Sequence, residues 1–531
     1  CAGQGLATIV ATGSSPASPT VTTSTGTASA TYAATGCSGS DVITASATAN
    51  SQSLSASGTV TVAQAAIGSI AFISAKPANI TLKGTGSAGG SATSTVIFKV
   101  LDTSGGPRAG ATVTFSLNTS VGGISIAPAT GTTDANGQVQ TIVSGGTVAT
   151  TVRVTATTTA EGGGTISTQS TALTVSTGIP TSNNVSLAVK CWNVEAWDID
   201  GVTVPVTVSM TDRFSNPVPD GTTANFVTTL GGIDATCQTG AVVPGSGTCV
   251  VNWHSKAPYS VAGNPATTKG TTYTNTAANW CSGTVAPYCN GTTNGRSPII
   301  VTAIGEESFV DANGNGTFDS GDTVAFNSTD KDNDFANGSP KPWQDTQEPF
   351  LNQYEIFDSY GTPLFVPGEF FIDFNKNGSH DGPDGTFNGL LCEGSLCNTT
   401  QTSVAIGTGN LIVVSGSHAN FTLVGGSPPF ALPQPISMYI YDDRYQPMPA
   451  GTTVTVSFTT NAGVLSSPTP AAWPCSQTTP VFDSTGNVVS AGQAYTFTVS
   501  KSTTPANGTM FVTVTTPGGI VTTASIAVTS L

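Results

Sequence analysis

The sequence predicts an all-β fold, tandem β-sandwiches interrupted by an acidic calcium-binding insertion, and three observations predict it. Only 8% of the residues are charged, and Ser, Thr, Val and Ala crowd out the long helix formers, a composition that suits pleated strands and turns. Apolar residues alternate with polar ones in short runs broken by Gly, Pro, Asn and Asp, the period-2 signature of half-buried strands. Finally, 17 of the 30 acidic residues but 3 of the 15 basic ones fall between Glu306 and Glu393, around two loops with cation-ligand spacing. No apolar run reaches the ~18 residues that cross a membrane as a helix. A net charge of −15 without a basic cluster argues against nucleic acid and anionic membranes as partners.

Residues 1–65 carry short strand patterns at Leu6–Val10, Thr27–Tyr32, Asp41–Ala45 and Gly58–Val62, about half of what a sandwich needs, and are expected to form a partial domain. Residues 66–178 form a complete unit with some seven strands at turn-separated intervals, the spacing of a β-sandwich. Its expected core is Ile97, Val100, Val113, Phe115, Ile142, Val152 and Val154. Residues 181–305 open a third sandwich with Val185–Val189, Val202–Val208 and Ile299–Ala303, and hold a long loop pinned by Cys281 and Cys289. Four of the six Trp (192, 197, 253 and 280) lie there, suited to core packing or to a binding face. Residues 306–398 are the insertion, and residues 399–531 are expected to form the last sandwich.

Within the insertion, Asp311-Ala-Asn313-Gly-Asn315-Gly316-Thr317-Phe-Asp319-Ser-Gly-Asp322 and Asp373-Phe-Asn375-Lys-Asn377-Gly378-Ser379-His-Asp381-Gly-Pro-Asp384 place oxygen-bearing side chains at positions 1, 3, 5, 9 and 12. Glycine falls at position 6, where a loop wrapping Ca2+ turns sharply, and Thr317 and Ser379 fall at position 7, whose backbone carbonyl is available to the ion. Each loop is therefore expected to bind one Ca2+. Asp330, Asp332 and Asp334 suggest a third, less regular site, or a solvated acidic run.

One phrase recurs. Asp102-Thr-Ser-Gly-Gly-Pro107 leads through Gly110 to a strand ending in Phe115; Asp212-Arg-Phe-Ser-Asn-Pro217 leads through Gly221 to Phe226; Asp442-Asp-Arg-Tyr-Gln-Pro447 leads through Gly451 to Phe458. With Thr133-Asp-Ala-Asn-Gly-Gln-Val139, this phrase resembles the bacterial immunoglobulin-like domains of the invasin and intimin adhesins. The likeness is best over 66–178, weaker over 183–305 and 427–531, and partial over 1–65. It implies a rod held off a bacterial surface and no particular ligand.

The ten cysteines form no C-x-x-C or zinc pattern. The near pairs Cys237–Cys249, Cys281–Cys289 and Cys392–Cys397 are expected to be disulfides, as are Cys1 and Cys37. Cys191 and Cys475 remain, either paired across domains or with Cys475 free. Such staples imply an oxidising, extracellular compartment. Cys1 is either a lipidated mature N-terminus or the start of a fragment. With three histidines, no G-x-S-x-G, no H-E-x-x-H and no nucleotide loop, a non-enzymatic role is expected. Expected is a calcium-stabilised structural subunit of a bacterial surface fibre or layer, its partners being copies of itself or other surface proteins. The alternative is an adhesin that grips a glycan or a host protein.

Overall fold

The computed structural model describes the chain except residues 2–4, 6, 15–17, 35–37, 86–89, 257–294, 325–340, 353–362, 468–469, 482–492 and 531. Strands and irregular loops make up the described residues apart from two three-residue 3-10 turns. The chain divides into two compact units, Cys1–Gly178 and Ile179–Leu531.

In the first unit, residues 1–65 form two hairpins, Ala7–Ala11 with Ala30–Ala34 and Gly39–Ala49 with Gln52–Val62. The following sandwich faces one four-stranded sheet (Ile67–Lys76, Thr93–Asp102, Gln138–Ser144, Ser125–Ala127) with another (Thr130–Thr132, Thr112–Leu117, Val154–Thr159, Thr165–Gln169). Between them Phe98 meets Phe115 at 5.9 Å and Phe72 at 5.8 Å. Val100, Val113, Phe115, Val152 and Val154 are buried as expected. Two expected core residues are not. Ile97 is half-buried while Val96 and Phe98 point inward, and Ile142 is 41% exposed between buried Thr141 and Val143. Both lie in runs with apolar residues on both parities, so alternation does not select the inward face; a one-residue change of parity reverses every side chain.

In the second unit the third sandwich pairs Val185–Val189, Thr203–Met210, Thr248–His254 and Gly232–Ile233 in one sheet. The other holds Asn193–Glu195, Val404–Ser415, Arg296–Gly305, Thr223–Thr228 and Thr236–Gln238, in that order. Strand Val404–Ser415, expected in the last domain, is thus a central strand of the third sandwich, in register with Arg296–Gly305 from Arg296↔Val413 to Gly305↔Val404. The acidic segment lies inside this hairpin rather than between two sandwiches. Trp197 and Trp253 are buried in the core, with Trp253 Nε1 donating to the Leu230 carbonyl at 2.9 Å; Trp192 is partly exposed. Trp280 lies outside the described residues. Trp197 and Trp253 thus serve core packing rather than a binding face. The last sandwich follows, its sheets being Asn420–Val424, Gln434–Tyr441, Ala494–Ser500, Val464–Leu465 and Phe430–Ala431, Val521–Thr529, Gly508–Thr515, Thr453–Phe458.

The recurrent phrase folds the same way each time. The carboxylates of Asp102, Asp212 and Asp442 each accept the backbone N–H two and four residues ahead, all at 2.8–2.9 Å. The residue three ahead is left-handed, Gly105 at φ 82°, Ser215 at φ 61° and Tyr445 at φ 65°. The proline five ahead bridges back to the strand, as Leu101↔Pro107, Thr211↔Pro217 and Tyr441↔Pro447. An aspartate is needed because its short carboxylate satisfies two turn donors at once.

The last two sandwiches are joined by polar contacts. Arg444 lies 3.4 Å above the Trp197 ring, Glu195 accepts from Thr516 Oγ1 at 2.6 Å, and Cys191 is bonded to Cys475 across 284 residues. The pairing across domains is the one formed, and Cys475 is not free.

Two outcomes follow from the turn. Asp102→Ala strands two backbone donors and should weaken protection of Thr93–Asp102 against amide exchange in the full chain by ~1–3 kcal/mol; unchanged protection would reject this role. Burial pushes the Asp442 carboxyl up to about 6, opposed by Arg444 and the surrounding N–H groups. A folded pKa raised above the unfolded value of 3.8 gives stability that is present below pH 3.8 and lost as pH rises through about 6. Urea unfolding should show that loss, at most ~3 kcal/mol, and Asp442→Asn should flatten it.

Candidate metal centre

The insertion is fastened to the third sandwich by a buried ion pair. Arg213, next to the turn aspartate Asp212, meets Glu306, the first residue after the strand Arg296–Gly305. Its Nε donates to Glu306 Oε1 at 2.9 Å, and its Nη atoms donate to Glu306 Oε2, to the Leu390 carbonyl at 2.7 Å and to the Gly316 carbonyl at 3.2 Å. The guanidinium also lies 4.9 Å from the Phe309 ring centroid. Glu306 further accepts the Leu390 N–H at 2.9 Å. One side chain therefore grips both ends of the insertion and position 6 of the first loop.

The two loops share a hydrogen-bond pattern. In the first, Asp311 accepts the N–H groups of Asn315 and Gly316 at 3.2 and 2.9 Å, and Asn315 Oδ1 accepts Thr317 N–H at 2.7 Å. In the second, Asp373 accepts those of Asn377 and Gly378 at 3.0 and 2.8 Å, and Asn377 Oδ1 accepts Ser379 N–H at 2.8 Å. Gly316 and Gly378 are left-handed at φ 77° and 83°. The amides at positions 3 and 5, Asn313 and Asn315 or Asn375 and Asn377, converge on the position-9 carboxylate, Asp319 or Asp381. Hydrogen bonds from Gly321 N–H and then from Asn315 hold the Asp319 carboxyl below its ordinary range. The oxygens of the same four amides accept loop N–H groups two residues ahead, at 2.7–3.0 Å. Position 8 anchors each loop to a small aromatic cluster. Phe318 stacks on Phe387 at 4.5 Å beside Phe309 and Trp343, and His380 stacks on Phe365 at 3.9 Å beside Phe350 and Phe371.

Position 12 separates the loops. Asp322 folds back on its own loop, accepting the N–H groups of Ala312 at position 2 (2.8 Å) and Asp319 at position 9 (3.0 Å). Asp384 does not; its carboxylate accepts from Thr386, Asn388 and Asn398. Glu348 takes its place, accepting the N–H groups of Phe374 at position 2 (2.7 Å) and Asp381 at position 9 (3.1 Å). Nothing in the spacing singles out Glu348, which precedes its loop by 25 residues; the longer carboxylate reaches in from another segment. Among the described residues no three Asp, Glu, His or Cys side chains converge as a metal-binding group, so the loops depend on asparagine oxygens for the rest of any coordination shell. Asp330, Asp332 and Asp334 lie outside the described residues.

Cys237 is bonded to Cys249, and Cys392 to Cys397, the latter against the Phe318–Phe387 cluster. Cys1 is disulfide-bonded. Its expected partner Cys37, with Cys281 and Cys289, lies outside the described residues.

Fold and insertion define a class: tandem immunoglobulin-like β-sandwiches, one of which carries an acidic insertion within a central hairpin. No protein-family model matches the chain, and no curated protein does. It is similar to solved structures of bacterial adhesins. The Escherichia coli adhesin FdeC is 13% identical, covering 88% of this chain and 100% of its own, with a TM-score of 0.27. The D0–D1 domain of intimin is 15% identical, covering 44% and 90%, at 0.18. A Ca2+-stabilized, ice-binding adhesin of an Antarctic bacterium is 13% identical, covering 99% and 89%, at 0.18. Whole-chain superposition at such scores carries no weight, and the fold rests on the strand pairing itself.

Removing Arg213 should release the insertion. Arg213→Ala leaves Glu306 buried without a countercharge, a loss of ~3–5 kcal/mol. Limited proteolysis should then cut within 306–398 while the sandwiches stay intact; a wild-type cleavage pattern would show that the pair is dispensable.

Proposed function

We propose that this chain is an extracellular, non-enzymatic structural protein of a bacterial surface, stiffened by Ca2+ and assembled with copies of itself or with other surface proteins. The observation that carries the reading is the matched pair of loops, each with its asparagine amides gathered on a carboxylate and each docked on its own aromatic cluster. Asp311, Asn313, Asn315, Asp319 and Asp322 hold one ion, with the Thr317 carbonyl. Asp373, Asn375, Asn377 and Asp381 hold the other, with the Ser379 carbonyl and with Glu348 where Asp384 was expected. Three disulfides among the described residues suit an oxidising compartment. Ca2+ bound to the folded state alone adds RT ln(1 + [L]/Kd), about 2.7 kcal/mol at a hundredfold excess over Kd. The ions thereby lock an irregular segment that has little core of its own.

Chelation should lower the melting temperature of the full chain and expose 306–398 to protease. Glu348→Gln should weaken one of the two loop sites at least tenfold, whereas Asp384→Asn should leave both loops unchanged; the reverse order would restore Asp384 as the ligand. Electron microscopy of native material separates the structural role from adhesion. Regular polymers support the first, and monomeric rods that capture glycans on an array support the second.

A further inference from the structure

Beneath the loops the insertion holds oxygens that neither loop uses. Glu307 and Asp345 are fully buried and Asn388 nearly so. Glu307 is satisfied: Oε1 accepts Thr346 N–H at 2.7 Å and Thr346 Oγ1 at 3.1 Å, and Oε2 accepts Asn388 N–H at 2.8 Å. Asp345 Oδ2 accepts Gly385 N–H at 3.0 Å and pairs with Lys341. The remaining oxygens, Asp345 Oδ1 and Asn388 Oδ1, are buried with no hydrogen-bond partner. Asp384 borders them: its Oδ2 accepts Asn388 Nδ2 at 3.0 Å and Asn398 Nδ2 at 3.3 Å, and its charge bears on Asp345.

An orphaned carboxylate oxygen is among the costlier things a protein can bury. One such oxygen, on Asp345, and an orphaned amide oxygen, on Asn388, in one cluster call for a shared partner that brings positive charge. All the donors are hard oxygens, without nitrogen or sulfur, and their irregular arrangement suits the flexible six- to eight-oxygen shell of Ca2+ better than the strict octahedron of Mg2+.

We propose that Asp345 Oδ1 and Asn388 Oδ1 are ligands of a further Ca2+ site, separate from the two loops, with Asp384 as its neighbouring carboxylate. The displacement of Asp384 from the second loop then has a purpose: it serves this site, and Glu348 serves the loop.

Native mass spectrometry of the full chain, stripped with chelator and titrated with Ca2+, tests the assignment. Asp345→Asn should bind one ion fewer than its parent, and should do so again when the parent already carries Asp311→Ala and Asp373→Ala. Asn388→Asp, which adds charge to an oxygen already in place, should tighten the site several-fold. An unchanged ion count in Asp345→Asn, or an unchanged affinity in Asn388→Asp, would overturn the site. If the loop substitutions cost no ions while Asp345→Asn still costs one, the loop reading falls and this site stands.

Discussion

The buried pair between Arg213 and Glu306 is the constraint on which the insertion depends. Among the described residues the insertion has no regular strand and packs around small aromatic clusters, so sheet pairing does not hold it in place. Arg213 supplies what is missing by donating in several directions from one rigid, planar group. It stands on the turn that the carboxylate of Asp212 shapes, so its position is set by the sandwich. Glu306 sits at the very end of a central strand. Both partners are thereby fixed by the sheet before the insertion closes over them. The buried ion pair is further satisfied by the backbone carbonyls of Gly316 and Leu390, which take two more guanidinium hydrogens.

Much of this was legible in the sequence, and its limits are physical. Alternation identified the strands, and the thrice-repeated Asp-to-Pro phrase identified equivalent turns, because both signals are local. Parity failed at Ile97 and Ile142, where apolar residues fall on both parities of the strand. The loop ligands at positions 1, 3, 5 and 9 were readable because they lie within one turn of chain. Glu348 was not, since a side chain arriving from another segment leaves no spacing to read. Strand Val404–Ser415 was assigned to the wrong sandwich for a related reason. Its partner, Arg296–Gly305, stands across the whole insertion, and sequence neighbours usually pair.

Lys341 joins the two halves of the insertion's chemistry. Its ammonium neutralises one oxygen of Asp345 and lies 5.2 Å from the Trp343 ring centroid, within the cluster that anchors the first loop. Aromatic packing, buried charge and loop conformation therefore share residues. Loss of any one should be felt by the others, because contacts within a shared network do not add independently.

The Cys191–Cys475 bond has a consequence for a chain under tension. It closes a covalent ring that contains the third sandwich except its first strand Val185–Val189, the insertion and the first strands of the last sandwich. A pull on the two ends of the chain runs through this bond and bypasses everything in the ring. At ~3.5 Å per extended residue, the 284 enclosed steps correspond to about 1,000 Å of hidden length. In an oxidising medium that length is withheld however far the remaining sandwiches unravel. Reduction of a single bond would release it at once, making this half of the molecule either inextensible or long according to the redox state around it.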